Sequence, residues 1–169
     1  MTGQCAVMRT KAGGKRMFRC ALLPLTLFLP ITVYACTGYV FGFKGLNNQF
    51  DIEAFNVYVK RTGYCSKTYD WNQVNDAIQA IRLLEVPHQL YGFSKGAETI
   101  STLLKMKLKK PEYVLTIGAY KTVDVNFDKY NVRYKNYFDD SGRGQQSPGI
   151  FLNVPHMMMQ KEVNKLMSV

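Results

Sequence analysis

Histidine is scarce in this chain: among 169 residues it stands only at positions 88 and 156. The four cysteines, at 5, 20, 36 and 65, form no C-x-x-C pair. With so few imidazoles and no paired thiols, the usual zinc and iron spacings cannot be assembled, and no metal or organic cofactor is expected. Neither a G-x-x-x-x-G-K-[ST] loop nor a G-x-G-x-x-G turn occurs, which removes the two common Gly-rich phosphate cradles. Repeats and low-complexity tracts are also missing. Charged residues make up only 20% of the chain and hydrophobic ones 47%, a composition that excludes a disordered chain. The length suits one domain with a real core.

Acidic residues are the next shortage, and the net charge is +10. That surplus resembles a nucleic-acid signature until it is located. Arg9, Lys11, Lys15, Arg16 and Arg19 place five uncompensated positives ahead of residue 20. From Cys36 onward 17 basic residues face 12 acidic ones, so the body of the chain is only mildly basic and no nucleic-acid partner is expected. The densest patch, Lys105, Lys107, Lys109 and Lys110, reads as the solvated end of a helix, where cations favour the macrodipole, rather than as a phosphate-binding patch.

Behind the basic cluster runs Cys20 to Tyr34, Cys-Ala-Leu-Leu-Pro-Leu-Thr-Leu-Phe-Leu-Pro-Ile-Thr-Val-Tyr. A positive segment followed by a short apolar run has the form of an export signal. It is shorter than the roughly 20 apolar residues of a membrane span, and Pro24 and Pro30 oppose a long straight helix. Residues 1–35 are therefore expected to be a signal or anchor, giving an exported or membrane-anchored protein; a hydrophobic first strand in a cytoplasmic protein is the alternative. Met8 is a plausible alternative start. Val33-Tyr34-Ala35-Cys36 resembles a bacterial lipobox, which would make Cys36 a lipidated N-terminus. If Cys36 is not acylated, an oxidising compartment could pair it with Cys65.

Residues 36–169 alternate in pattern. Strands are expected at Thr37–Phe43, Phe55–Lys60, His88–Phe93, Tyr113–Tyr120 and Val132–Phe138, the last more polar and nearer an edge. Helical spacing marks Trp71–Leu84, with Asp70 as its cap and Pro87 closing it, then residues 96–108, and a final helix from about Met157 to Met167. Gly45-Leu46-Asn47-Asn48 and Asp139-Asp140-Ser141-Gly142 are loop chemistry. The alternation predicts an α/β fold: a mostly parallel central sheet of about five strands flanked by helices. Functional groups should gather at the C-terminal strand ends.

Between the third strand and the second helix stands Gly92-Phe93-Ser94-Lys95-Gly96, a G-x-S-x-G sequence. In such an elbow the serine occupies a strained turn that lifts its Oγ above the sheet. The glycines let strand and helix backbones pass closely, and the helix N-terminus faces a developing oxyanion. A serine nucleophile needs a base. His88 begins the strand leading to Ser94, so at ~3.3 Å per residue it lies about 20 Å away at the opposite sheet edge. His156 follows every strand and precedes the last helix, where it can reach the serine. Asp139 and Asp140 follow the fifth strand at its C-terminal end; either could orient the imidazole, and Asp124 is the reserve.

The element order and the Gly92–Gly96 turn, followed by an acid turn and a late histidine, resemble a minimal member of the α/β-hydrolase superfamily. That resemblance implies an oxyanion hole combining the backbone N–H of Lys95 with one from Phe43-Lys44. The usual His-Gly of that loop is replaced by Gly42-Phe43-Lys44-Gly45, the first antiparallel strands and any lid-sized insertion are absent, and the chain is about half the usual size. The function implied is hydrolysis of small-molecule or lipid acyl esters by Ser94, His156 and Asp139 or Asp140. The alternative is a degenerate fold of this kind used as a binding or envelope-structural module.

Overall fold

The computed structural model describes residues 35–119, 127–139 and 148–168. The expected signal segment lies outside them except for its last residue, as do Asp124 and Asp140.

Six strands form one sheet: β1 (Tyr39–Phe43), β2 (Cys65–Tyr69), β3 (His88–Phe93), β4 (Tyr113–Ile117), β5 (Tyr134–Phe138) and β6 (Ile150–Phe151). Their order is β2-β1-β3-β4-β5-β6, and every pairing is parallel. The helices are α1 (Ile52–Thr62), α2 (Val74–Arg82), α3 (Lys95–Lys105) and α4 (Met159–Leu166). Alternate residues of each strand serve opposite faces of the sheet. Phe41, Phe43, Leu90 and Val114 join Ile78, Ile81, Ile100 and Leu103 of α2 and α3 in one core. Val40, Tyr91, Phe93, Leu115 and Ile117 join Phe55, Tyr58 and Val163 of α1 and α4 in the other. A two-sided apolar sheet is what a parallel arrangement requires.

Two expected elements are corrected. Phe55–Lys60 is helix, part of α1, and the strand following β1 is instead Cys65–Tyr69. The alternating Phe-Asn-Val-Tyr-Val-Lys imitates a strand, but the buried residues Ala54, Phe55 and Tyr58 lie at helical spacing. Asp51 caps the helix by accepting from the Ala54 N–H at 2.9 Å, and Gly63 ends it in the left-handed conformation. Parallel β1 and β2 need such a crossover, because a tight turn cannot join them. Asp70 does not cap α2: its own N–H donates to the Gln73 side chain at 2.8 Å, and the helix runs only from Val74 to Arg82. The sequence pattern assigns no element to Ile150–Phe151; as the sheet edge, β6 leaves β5 one position inside it.

Cys36 is joined to Cys65 by a disulfide. Thioether acylation of Cys36 would use the same sulfur, so the lipidated form expected from the lipobox-like sequence is not the form described.

From β1 the chain turns to α1 on one face, and from the adjacent β3 to α3 on the other. The crevice between diverging connections at C-terminal strand ends is where parallel α/β sheets place ligands. Ser94 lies there.

Candidate active site

The elbow is built by a clash-free crossing. A Cβ on Gly96 would lie 2.1 Å from the carbonyl oxygen of Phe43, so only glycine lets α3 start this close to the end of β1. Ser94 is held at φ 53°, ψ −118°, a region costly for a side chain with a Cβ and typical of strained functional turns. Its N–H donates to the Ile117 carbonyl at 2.8 Å, and its carbonyl accepts from Ala97 at 3.1 Å. The strain is thus fixed from both sides. Ser94 is 1% exposed.

His156 opens a short 3-10 turn, His156–Met158, leading into α4. Its ring stacks on Phe93 with centroids 4.8 Å apart, next to Ser94 in sequence. The other wall is Gly118, directly after Ile117. A Cβ there would approach the imidazole Cε1 to 2.5 Å and Nδ1 to 2.7 Å, and its φ of 60° suits glycine independently. The imidazole Nδ1 lies 2.6 Å from Oδ2 of Asp139. Asp139 is fully buried, directly after β5, while the His156 side chain is 13% exposed. A buried carboxylate on Nδ1 leaves Nε2 as the nitrogen for proton exchange and stabilises the imidazolium when it forms.

The structure thus brings His156 and Asp139 together beside the elbow. Asp140 lies outside the described residues. His88 sits at the opposite end of β3, 1% exposed, its pKa pulled down to about 4 by burial and then by the Lys109 ammonium.

The expected oxyanion donors divide. Lys95 opens α3, so its N–H belongs to the positive end of the helix dipole. Phe43 lies within the ladder, opposite Tyr69 and Gly92. The Lys44 N–H donates to the Tyr69 carbonyl at 2.9 Å and the Gly45 N–H to Gln49 at 2.9 Å. Lys44 is therefore corrected: β2, unseen in the sequence, claims its amide. The Lys44 side chain pairs with Asp70 at 3.0 Å. The Lys95 side chain pairs with Glu98 and lies 5.5 Å from the Trp71 ring centroid.

Sequence reasoning missed the residues that hold His156. Gly118 was read as strand interior, and nothing local marks it. Gln160, the second residue of α4, donates to the Tyr91 hydroxyl at 3.0 Å and accepts from the Asp51 N–H at 2.8 Å. Burial, the main influence, pushes the Tyr91 phenol well above its usual pKa, so it stays neutral. Asn164 donates to the Ala54 carbonyl at 2.5 Å. These long-range bonds pin α4 to α1 and fix the turn carrying the histidine. Among the described residues no three His, Cys, Asp or Glu side chains converge as metal ligands would.

No protein-family model matches the chain, and neither does any curated protein. Solved structures do. A candidate hydrolase of the alpha/beta superfamily from Xanthomonas campestris pv. campestris aligns with a TM-score of 0.55 at 9% identity, over 78% of this chain and 98% of that one. A candidate YdeN-like hydrolase from Pectobacterium atrosepticum SCRI1043 gives a TM-score of 0.49 at 13% identity, over 72% of this chain and 80% of that one. At 9% identity the first likeness concerns the fold alone, and together with the all-parallel sheet it gives the chain an α/β-hydrolase type of fold.

Proposed function

We propose that this chain is a serine hydrolase acting on carboxylic esters. Ser94 attacks the acyl carbonyl, His156 takes its proton and passes it to the leaving alkoxide, and Asp139 holds the imidazole. Water, activated by the same imidazole, then releases the acyl group from Ser94. The observation that carries this reading is the 2.6 Å contact between His156 and the buried Asp139, on a ring stacked against the residue preceding Ser94. The Lys95 N–H and the α3 dipole supply the oxyanion stabilisation on this reading. The Cys36–Cys65 disulfide supports export to an oxidising compartment, where the substrates would be small-molecule or lipid acyl esters.

Two observations favour a second reading, a degenerate module that binds without turnover: the Lys44 amide is committed to Tyr69 and Ser94 is buried. A fluorophosphonate separates the two, since it needs an activated serine and no known substrate. The hydrolase reading expects one adduct, mapped to Ser94 and absent from Ser94→Ala. No adduct, or one on another serine, would favour the binding module.

A further inference from the structure

A cavity of about 250 Å³ lies at the end of the sheet opposite the elbow, among α2, α3 and the start of β3. Leu90, Leu104, Leu108 and Val132 wall it, and Lys107, Lys109 and Lys110 also line it. The lysine cluster is an exposed helix end, as the sequence suggests, with Lys105 in the last turn of α3; Lys107, Lys109 and Lys110 beyond it also border an apolar hole. Lys107 itself sits at φ 51°, a strained conformation for a residue with a side chain. Lys109 is held in place by the Glu85 carbonyl, which accepts from its ammonium at 3.0 Å.

His88 lines the same cavity. It is 1% exposed, and neither ring nitrogen has a hydrogen-bond partner. A neutral imidazole carries one donor and one acceptor, and leaving such groups buried and unpaired costs about 1–3 kcal/mol each. The nearby carboxylate of Glu112 accepts instead from the Tyr64 hydroxyl at 2.8 Å and does not line the cavity. Apolar walls, a cationic rim and an unsatisfied buried imidazole describe one kind of guest.

We propose that this cavity binds a small amphiphilic carboxylate, its hydrocarbon against Leu104, Leu108 and Val132 and its carboxylate among the lysines beside His88. The size fits. An apolar cavity of about 150 Å³ takes one benzene, so a space of 250 Å³ takes a body of roughly ten heavy atoms, that of an eight-carbon acid. The site does not depend on the acyl-ester reading of Ser94, and it lies at the end of the sheet opposite the elbow.

Isothermal titration of the full chain with octanoate tests it. Saturable one-to-one binding is expected, at least ten-fold weaker with acetate, which lacks the hydrocarbon, and with 1-octanol, which lacks the charge. Leu104→Trp, which fills the hole, and the exposed double variant Lys107→Gln with Lys110→Gln, which leaves the core intact, should each weaken octanoate at least ten-fold. Ser94→Ala should bind it as the native chain does. Absence of saturable binding, octanol binding as well as octanoate, or unchanged affinity in the lysine variant would overturn the proposal. So would loss of binding in Ser94→Ala, which would place the octanoate at the elbow as a reaction product.

Discussion

The two histidines of this chain occupy opposite ends of one sheet, and they differ less in burial than in company. His156, past the C-terminal strand ends, has a carboxylate 2.6 Å from Nδ1 and an aromatic ring against its face. His88, at the start of β3, is packed near Phe41 with ring centroids 6.0 Å apart, and no polar group answers either nitrogen. Desolvation alone makes an imidazole a poorer base, and His88 is held neutral down to about pH 4. A buried carboxylate reverses that logic by making the charged ring tolerable. Position in the sheet decides which histidine gets which company. Loops and helix N-termini converge where parallel strands end, so acids and donors arrive there from several connections.

The largest effect separates the two rings by activity. His156→Ala should lower kcat/KM on a short-chain p-nitrophenyl ester by about 10³–10⁴-fold, while His88→Phe stays within about two-fold of native. Equal losses would break the comparison. Asp139→Asn should cost on the order of 10³-fold, because the imidazole loses the acceptor that fixes its tautomer. Asp140→Asn, assayed alongside, should cost no more than a few-fold; the reverse ranking would reassign the acid.

A smaller loss is expected when the wall behind His156 is altered. Gly118→Ala places a methyl 2.5 Å from the imidazole and must displace the ring, for which about 10²-fold in kcat is expected. The fold should survive, as judged by an unchanged far-ultraviolet spectrum.

The last effect concerns stability at the other end. In the unfolded chain His88 takes its proton near pH 6.5, in the folded chain only near pH 4. Between those values the unfolded state binds more protons, so stability falls as the pH is lowered through the window and is unaffected above it. The loss is on the order of 3 kcal/mol, and His88→Phe should remove it. Urea midpoints at pH 7 and pH 4.5 would show this as a pH-dependent gap between native and variant.

The parts of the site legible in the sequence were those specified by local chemistry. Gly92 to Gly96 announces a tight crossing because its glycines are spaced for one. His156 could be chosen over His88 by counting strand residues alone. The Asp139-Asp140 turn was visible, but the partner was not separable, since the choice depends on which carboxylate faces inward after β5. Illegible features were those set by distant chain. Gly118 matters because the turn leading into α4, some forty positions later, lays the His156 ring upon it. The Lys44 amide looked available because β2 had been missed, and β2 was missed because β-branched residues in α1 imitate a strand. Asp51 and Gly63 are the caps that end α1, and as single residues they are weak signals beside an alternating run.

The account rests on His156, and not His88, activating Ser94. The most direct test is the rate at which a fluorophosphonate labels Ser94, measured side by side in the native chain, His156→Ala and His88→Phe. The account predicts a fall of about 10³-fold or more in His156→Ala and a rate within about two-fold of native in His88→Phe. Comparable rates in the native chain and His156→Ala, or an adduct that maps to any serine other than Ser94, would contradict it.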